Sequence, residues 1–165
     1  MQTLDFLDWV IKEALRVETP VQSSSHFEIL EDLTAGKFHF KKGDLIMPAF
    51  FALHHNSKYW QRPDEFLPER FNPESPLFLT PAGEKRNPYA WCPFSAGNRI
   101  YMGRGLADIT IRYMVTWMTE FFEMSHKQPE DFKNHHPRAF VYMPPTPGIP
   151  LLIKRRDGIK YDKLA

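Results

Sequence analysis

"FSAGNRIYMG", residues Phe94 to Gly103, is the stretch whose reading decides the fold. Gly97 and Gly103 let backbone approach a flat partner closely, and Phe94 is placed to shield that partner's edge. Arg99 supplies a charge-assisted bond to a carboxylate. Where such a loop presents its reactive atom, this chain has Tyr101. Standing alone, the pattern also fits a ligand-free entry loop to a helix, so its neighbours must settle the matter.

Downstream, Leu106, Ile109, Tyr113, Trp117 and Phe121 recur at helical spacing and predict a helix over about 103–122. Upstream lies a proline-punctuated meander from His54 to Pro93, containing "PDEFLPERF" at 63–71. Its Arg70 sits between a proline-fixed turn and an aromatic, a setting in which an arginine turns inward and needs a carboxylate. The first helix is predicted over about 3–17 by the stripe Leu4, Leu7, Ile11 and Leu15, and Pro20 ends it. It carries "EALR", with Glu13 and Arg16 three apart on one face. Short strands are predicted at 26–32, 37–40 and 44–53, with "KKGD" turning between the last two. Two more are predicted at "AFVYM" and "LLIKR", before a basic, exposed tail. The meander covers 54–93, the loop and long helix 94–122, and the C-terminal strands and tail 123–165.

Taken in order, E-x-x-R at 13–16, P-E-R-F at 68–71 and F-x-x-G-x-R-x-Y-x-G at 94–103 resemble the C-terminal signature of the cytochrome P450 superfamily, the haem-thiolate monooxygenases. The resemblance runs up to about Arg155. It implies an α+β, mainly α fold: the C-terminal part of the family domain, with two main helices, small sheets and a long proline-rich meander. It further implies a buried charged triad of Glu13, Arg16 and Arg70 locking the first helix onto the meander. Arg99 would face a haem propionate, and Phe94, Gly97 and Gly103 would let the loop pack under the porphyrin.

Three departures bear on function. The family's thiolate position is Tyr101, whose phenol is a poor donor until it ionises near pH 10 in its ordinary state. Tyrosinate is an axial ligand in catalase-type proteins, so Tyr101 is a candidate haem-iron ligand. Its oxygen reaches further from the backbone than a cysteine sulfur, and the alternative is a core aromatic filling the vacated space. Cys92 lies outside the ligand-presenting loop and reads as a small buried hydrophobe. No arginine follows between Arg16 and Arg62 to bind a second propionate; His26 stands near that position as a partial substitute. Finally, Met1 precedes the first helix directly, so the family's upstream part is expected to be absent, leaving a haem open to water on one face.

The chain has 165 residues, 42% hydrophobic and 25% charged, with a formal charge of +1. That suits one globular domain and argues against nucleic acid as the main partner. Fifteen prolines and 15% aromatics point to long irregular segments held by packing. A lone cysteine excludes an internal disulfide, no apolar run is long enough to span a bilayer, and no secretory signal or N-x-[ST] site is found. An intracellular location is expected. The pairs His54–His55 and His135–His136 read as exposed histidines rather than a metal site, and "RYMVTWMTEFFEM" reads as core.

Two functions compete on this sequence. One is a truncated, catalytically inactive member acting as a structural or interaction module, with a protein partner covering the apolar face of residues 4–15. Its haem would be absent or weakly bound. The other is a haem-binding protein, ligated by Tyr101 or forming the haem-side part of a monooxygenase completed by a separate chain.

Overall fold

The computed structural model describes residues 2–127 and 150–158, with residues 2–4 in their backbone alone. Helix α1 spans Gln2–Val17. Its last turn closes with Glu18 N–H donating to the Ala14 carbonyl at 2.9 Å, and Pro20, which lacks a donor, lies just beyond. Of its apolar stripe, Ile11 is buried and Leu7 and Leu15 are half-buried within the chain itself. The face assigned from sequence to an outside partner is thus covered in part within the chain itself, and Trp91 Nε1 ties a later segment to α1 by donating to the Lys12 carbonyl at 3.2 Å.

Four short strands follow: β1 (Phe27–Glu28), β2 (Leu33–Ala35), β3 (Phe38–Phe40) and β4 (Leu45–Ile46). They form two antiparallel pairs, β1 with β4 and β2 with β3. The hairpin turn of β2–β3 is Gly36–Lys37, where Gly36 takes φ +59°, a left-handed conformation that favours glycine. "KKGD" does turn, with Asp44 N–H donating to the Lys41 carbonyl at 3.0 Å, but it leads back to β1 rather than joining adjacent partners. The strand expected over 44–53 stops at Ile46, and Phe50–His54 forms helix α2. Apolar runs this short do not separate a buried helical turn from a buried strand.

The meander is ordered by its prolines. Pro68, Pro76 and Pro88 each open a 3-10 turn, at Pro68–Phe71, Pro76–Phe78 and Pro88–Ala90. There the fixed φ is compatible with a first turn and the missing N–H goes unused. Ser75 and Asn87 cap the second and third turns by accepting from Leu77 N–H and Tyr89 N–H. An aromatic run, Trp60 to Phe71 to Trp91 with centroids 5.9 and 5.8 Å apart, fills the space between these turns.

By compactness the chain divides into two units, meeting in sequence between Ile100 and Tyr101. Described by itself, the second consists of helix α3 (Arg104–Phe121), strand β5 (Phe122–His126) and strand β6 (Leu151–Arg155). β5 and β6 pair antiparallel from Phe122↔Arg155 to His126↔Leu151. The helix is one residue shorter at each end than the sequence suggests, because Gly103 is its N-cap and Phe122 already turns extended. None of its described side chains is buried; Leu106, Ile109 and Tyr113 are 73%, 67% and 64% exposed. The reading of "RYMVTWMTEFFEM" as core is thus corrected: its Tyr113, Met114 and Met124 are exposed, and Trp117 and Phe121 are only half-buried. The predicted strand "AFVYM" and the pair His135–His136 lie outside the described residues.

Candidate functional site

Glu13, Arg16 and Arg70 are all fully buried, and their side chains meet. Glu13 sits on α1 one turn before Arg16, so its carboxylate accepts from Arg16 Nε and Nη2, each at 2.9 Å. Arg70, carried into reach by the Pro68 turn, donates from Nε to the same carboxylate at 3.0 Å. Leu67 N–H adds a fourth bond at 2.8 Å. The guanidiniums spend their remaining donors on main-chain oxygens. Arg16 reaches the carbonyls of His54, Pro63 and Glu65 at 2.8, 2.7 and 3.1 Å. Arg70 donates to those of Gln61, Arg62 and Glu65. Such satisfaction is what a buried ion pair requires to offset its desolvation.

A third arginine, the half-buried Arg86, joins this cluster, one that sequence reasoning missed. Arg86 donates to the carbonyls of Arg70 and Leu77 and lies over the Trp60 ring, 4.3 Å from its centroid; Arg16 faces the same ring at 5.2 Å. Burial, reinforced by Arg70, pushes the Arg86 pKa down to about 10. Burial also pulls Arg70 below its usual value, against the attraction of Glu13. Trp60 Nε1 is buried and finds no hydrogen-bond partner among the described residues. The only cue in sequence was Arg86 itself, in a meander dense with aromatics.

His54 is the second missed residue. The expectation of an exposed histidine pair fails for it: His54 is fully buried, and His55 is half-buried. Cys92 N–H donates to His54 Nε2 at 2.9 Å, so Nε2 carries the lone pair and Nδ1 the hydrogen. Nδ1–H then donates to Thr19 Oγ1 at 2.8 Å, and the Thr19 hydroxyl donates to the Arg16 carbonyl at 2.9 Å. Burial first, then the charge of Arg16, push the His54 pKa down to about 4. No cluster of three or more His, Cys, Asp or Glu suited to a metal ion occurs among the described residues.

The loop residues fall on both sides of the unit boundary. In the first unit, Arg99 lines a cavity of about 450 Å³ together with Phe27, Phe50, Leu53, Tyr89 and Cys92. Gly97 opens a short 3-10 turn at φ +64°, and Ser95 shares that left-handed conformation at φ +64°. Phe94 is half-buried, and His26 is exposed, just ahead of β1. In the second unit, Gly103 has an ordinary φ of −78°, so its backbone does not demand glycine. The demand is steric. A Cβ there would fall 2.7 Å from the Tyr101 ring and 2.8 Å from its hydroxyl oxygen. Tyr101 is folded back onto the first turn of α3 and is 58% exposed, which corrects its reading as a core aromatic. Cys92 is buried as expected; its thiol donates to the Tyr89 carbonyl at 3.1 Å, and burial pushes its pKa up.

The sequence model described as Cytochrome P450 matches residues 1–151. "Cytochrome P450 3A15" of Cavia porcellus is 34% identical over 97% of this chain, which spans 30% of that protein. "Cytochrome P450 82A1" of Pisum sativum is 32% identical over 92% of the chain and 27% of its own length. Among solved structures, retinoic acid-bound cyanobacterial CYP120A1 superposes with a TM-score of 0.80 at 23% identity, over 94% of this chain and 34% of that one. A zebrafish cytochrome P450 with progesterone gives a TM-score of 0.71 at 25% identity, covering 93% and 32%. The chain thus spans about a third or less of the length of the proteins it matches.

Proposed function

The chain belongs to the cytochrome P450 family, and on that premise we propose that it is a member without monooxygenase chemistry, serving as a structural or interaction module. The observation that carries this reading is the donor set. Family chemistry rests on a thiolate that pushes electron density onto haem iron. Position 101 holds a phenol turned onto Gly103, and the Cys92 thiol is buried, hydrogen-bonded and held protonated by its surroundings. These residues do not fit a haem-thiolate centre. A role in binding is supported by α3, whose exposed Leu106, Ile109 and Tyr113 form an apolar stripe open to a partner chain.

A second reading, a haem-binding protein or the haem-side part of a larger assembly, is favoured by one observation. Arg99 lines an otherwise largely apolar cavity in the first unit. There it is placed to pair with a carboxylate on a flat apolar ligand.

One titration separates the two. The purified chain is mixed with hemin and its absorption recorded, then again after reduction under carbon monoxide. The structural reading expects no Soret band of a specific complex in the wild type. It expects a thiolate-type reduced-carbonyl band to require Tyr101→Cys at the least. A ferric tyrosinate spectrum that disappears in Tyr101→Phe overturns it in favour of haem binding.

A further inference from the structure

We propose that His54 is a proton-operated clasp: its protonation releases the segment Cys92–Phe94 from α2 and opens the chain's one thiol to solvent before the fold as a whole is lost.

The direction of each hydrogen bond at the clasp is fixed. From Cys92 N–H to His54 Nε2, from Nδ1–H to Thr19, and from the Thr19 hydroxyl to the Arg16 carbonyl, every donor has one acceptor. The three bonds join the end of α1, helix α2 and the irregular segment leading into the Phe94 loop. A second proton on the ring can go only to Nε2, where it would point at the Cys92 N–H. Two donors then face each other in a fully buried site, and neither has another acceptor in this arrangement. His54 is anchored by its own carbonyl, which receives Arg16 Nη1 at 2.8 Å, so the Cys92 side is the one free to yield. On that side Cys92 is followed by Pro93, which offers no amide, and, after Phe94, by Ser95 in a left-handed conformation that is costly for a residue with a side chain.

The charged and titratable groups around the ring all oppose or ignore the proton. Arg16 on α1 and His55, the C-cap of α2, repel it. Glu13 answers Arg16 but is already engaged by Arg16, Arg70 and Leu67. The Cys92 thiol is kept neutral by burial, and Arg99 lines the same cavity as Leu53 and Cys92.

Linkage gives the pH window. In the closed form His54 titrates at about 4, and in the open form at the ordinary value of 6.5. The open form therefore takes up the proton first as pH falls below 6.5, and the closing advantage declines until pH 4. Between pH 7 and pH 5 the opening equilibrium should rise roughly twentyfold.

The single cysteine provides the readout. Labelling of Cys92 in the full chain by 4,4′-dithiodipyridine is timed from about pH 7 to pH 4.5 and divided by the rate of a free cysteine peptide. An exposed thiol slows with acid as its thiolate fraction falls, and the ratio removes that dependence. The clasp requires the ratio to climb about twentyfold by pH 5 while the far-ultraviolet circular dichroism stays constant, and to stay level in His54→Gln. A flat ratio in the wild type, an equal climb in His54→Gln, or a climb that tracks loss of helix overturns it. Should His54→Gln not fold, amide exchange of the wild type decides. Cys92 N–H, held by His54, must lose protection with acid relative to Leu67 N–H, which is held by Glu13. Parallel loss at both amides overturns the proposal.

Discussion

Replacing Glu13 by Gln tests the buried charge cluster most directly. The carboxylate accepts four hydrogen bonds, from Arg16 twice, Arg70 and Leu67, and among the described residues it is the one anion paired with Arg16 and Arg70. Glutamine has nearly the same shape, so no cavity is opened. It retains one acceptor oxygen, but its amide group points two hydrogens at guanidinium donors. Breaking a buried pair from one side costs about 3–5 kcal/mol. The main-chain carbonyls around both arginines hold the loss near the middle of that range, about 4 kcal/mol. Against a total stability of about 5–15 kcal/mol, that is a large fraction. With an m-value of about 2 kcal/mol per molar urea, the unfolding midpoint should fall by about 2 M. Tryptophan fluorescence is a suitable probe, since Trp60 stacks on Arg16 and Arg86 within the same cluster. A midpoint shift below about 0.5 M would place Glu13 among ordinary surface pairs and refute the reasoning.

Two further predictions concern neighbouring geometry. Arg16→Lys keeps the charge but replaces a guanidinium making five hydrogen bonds by an ammonium with three donors, so urea denaturation should show a loss of about 2–3 kcal/mol. A loss as small as that of an exposed arginine would mean that charge alone, not the fork, holds the site. Gly103→Ala should cost less than about 1 kcal/mol, because the φ of −78° suits alanine and the obstructing atoms are the end of the exposed Tyr101 side chain, which can swing aside. Nuclear magnetic resonance should then show the Tyr101 ring signals displaced with the melting temperature nearly unchanged; a large drop in melting temperature would show that the ring is not free to move.

The family and the two main helices were legible from local pattern, whereas helix α2 at Phe50–His54 was not. The Leu7, Ile11, Leu15 stripe, the ordered motifs at 13–16, 68–71 and 94–103, and the prolines that open the 3-10 turns act within a few residues of themselves. Glu13 and Arg16 lie on one helix face whatever the rest of the chain does. What tertiary structure alone decided is which groups lose water. His54 stands beside the half-buried His55 in an ordinary-looking pair, yet it is buried because Thr19 and Cys92, 35 and 38 residues away, close over it. Arg86 is drawn inward by the Trp60 face and by main-chain oxygens of the meander. At position 101 sequence supplied the residue and structure its orientation, since a tyrosine can fill a core, ligate an iron or lie on its own helix. The choice depended on Gly103 leaving room for the ring, a steric fact that the spacing of two glycines does not express.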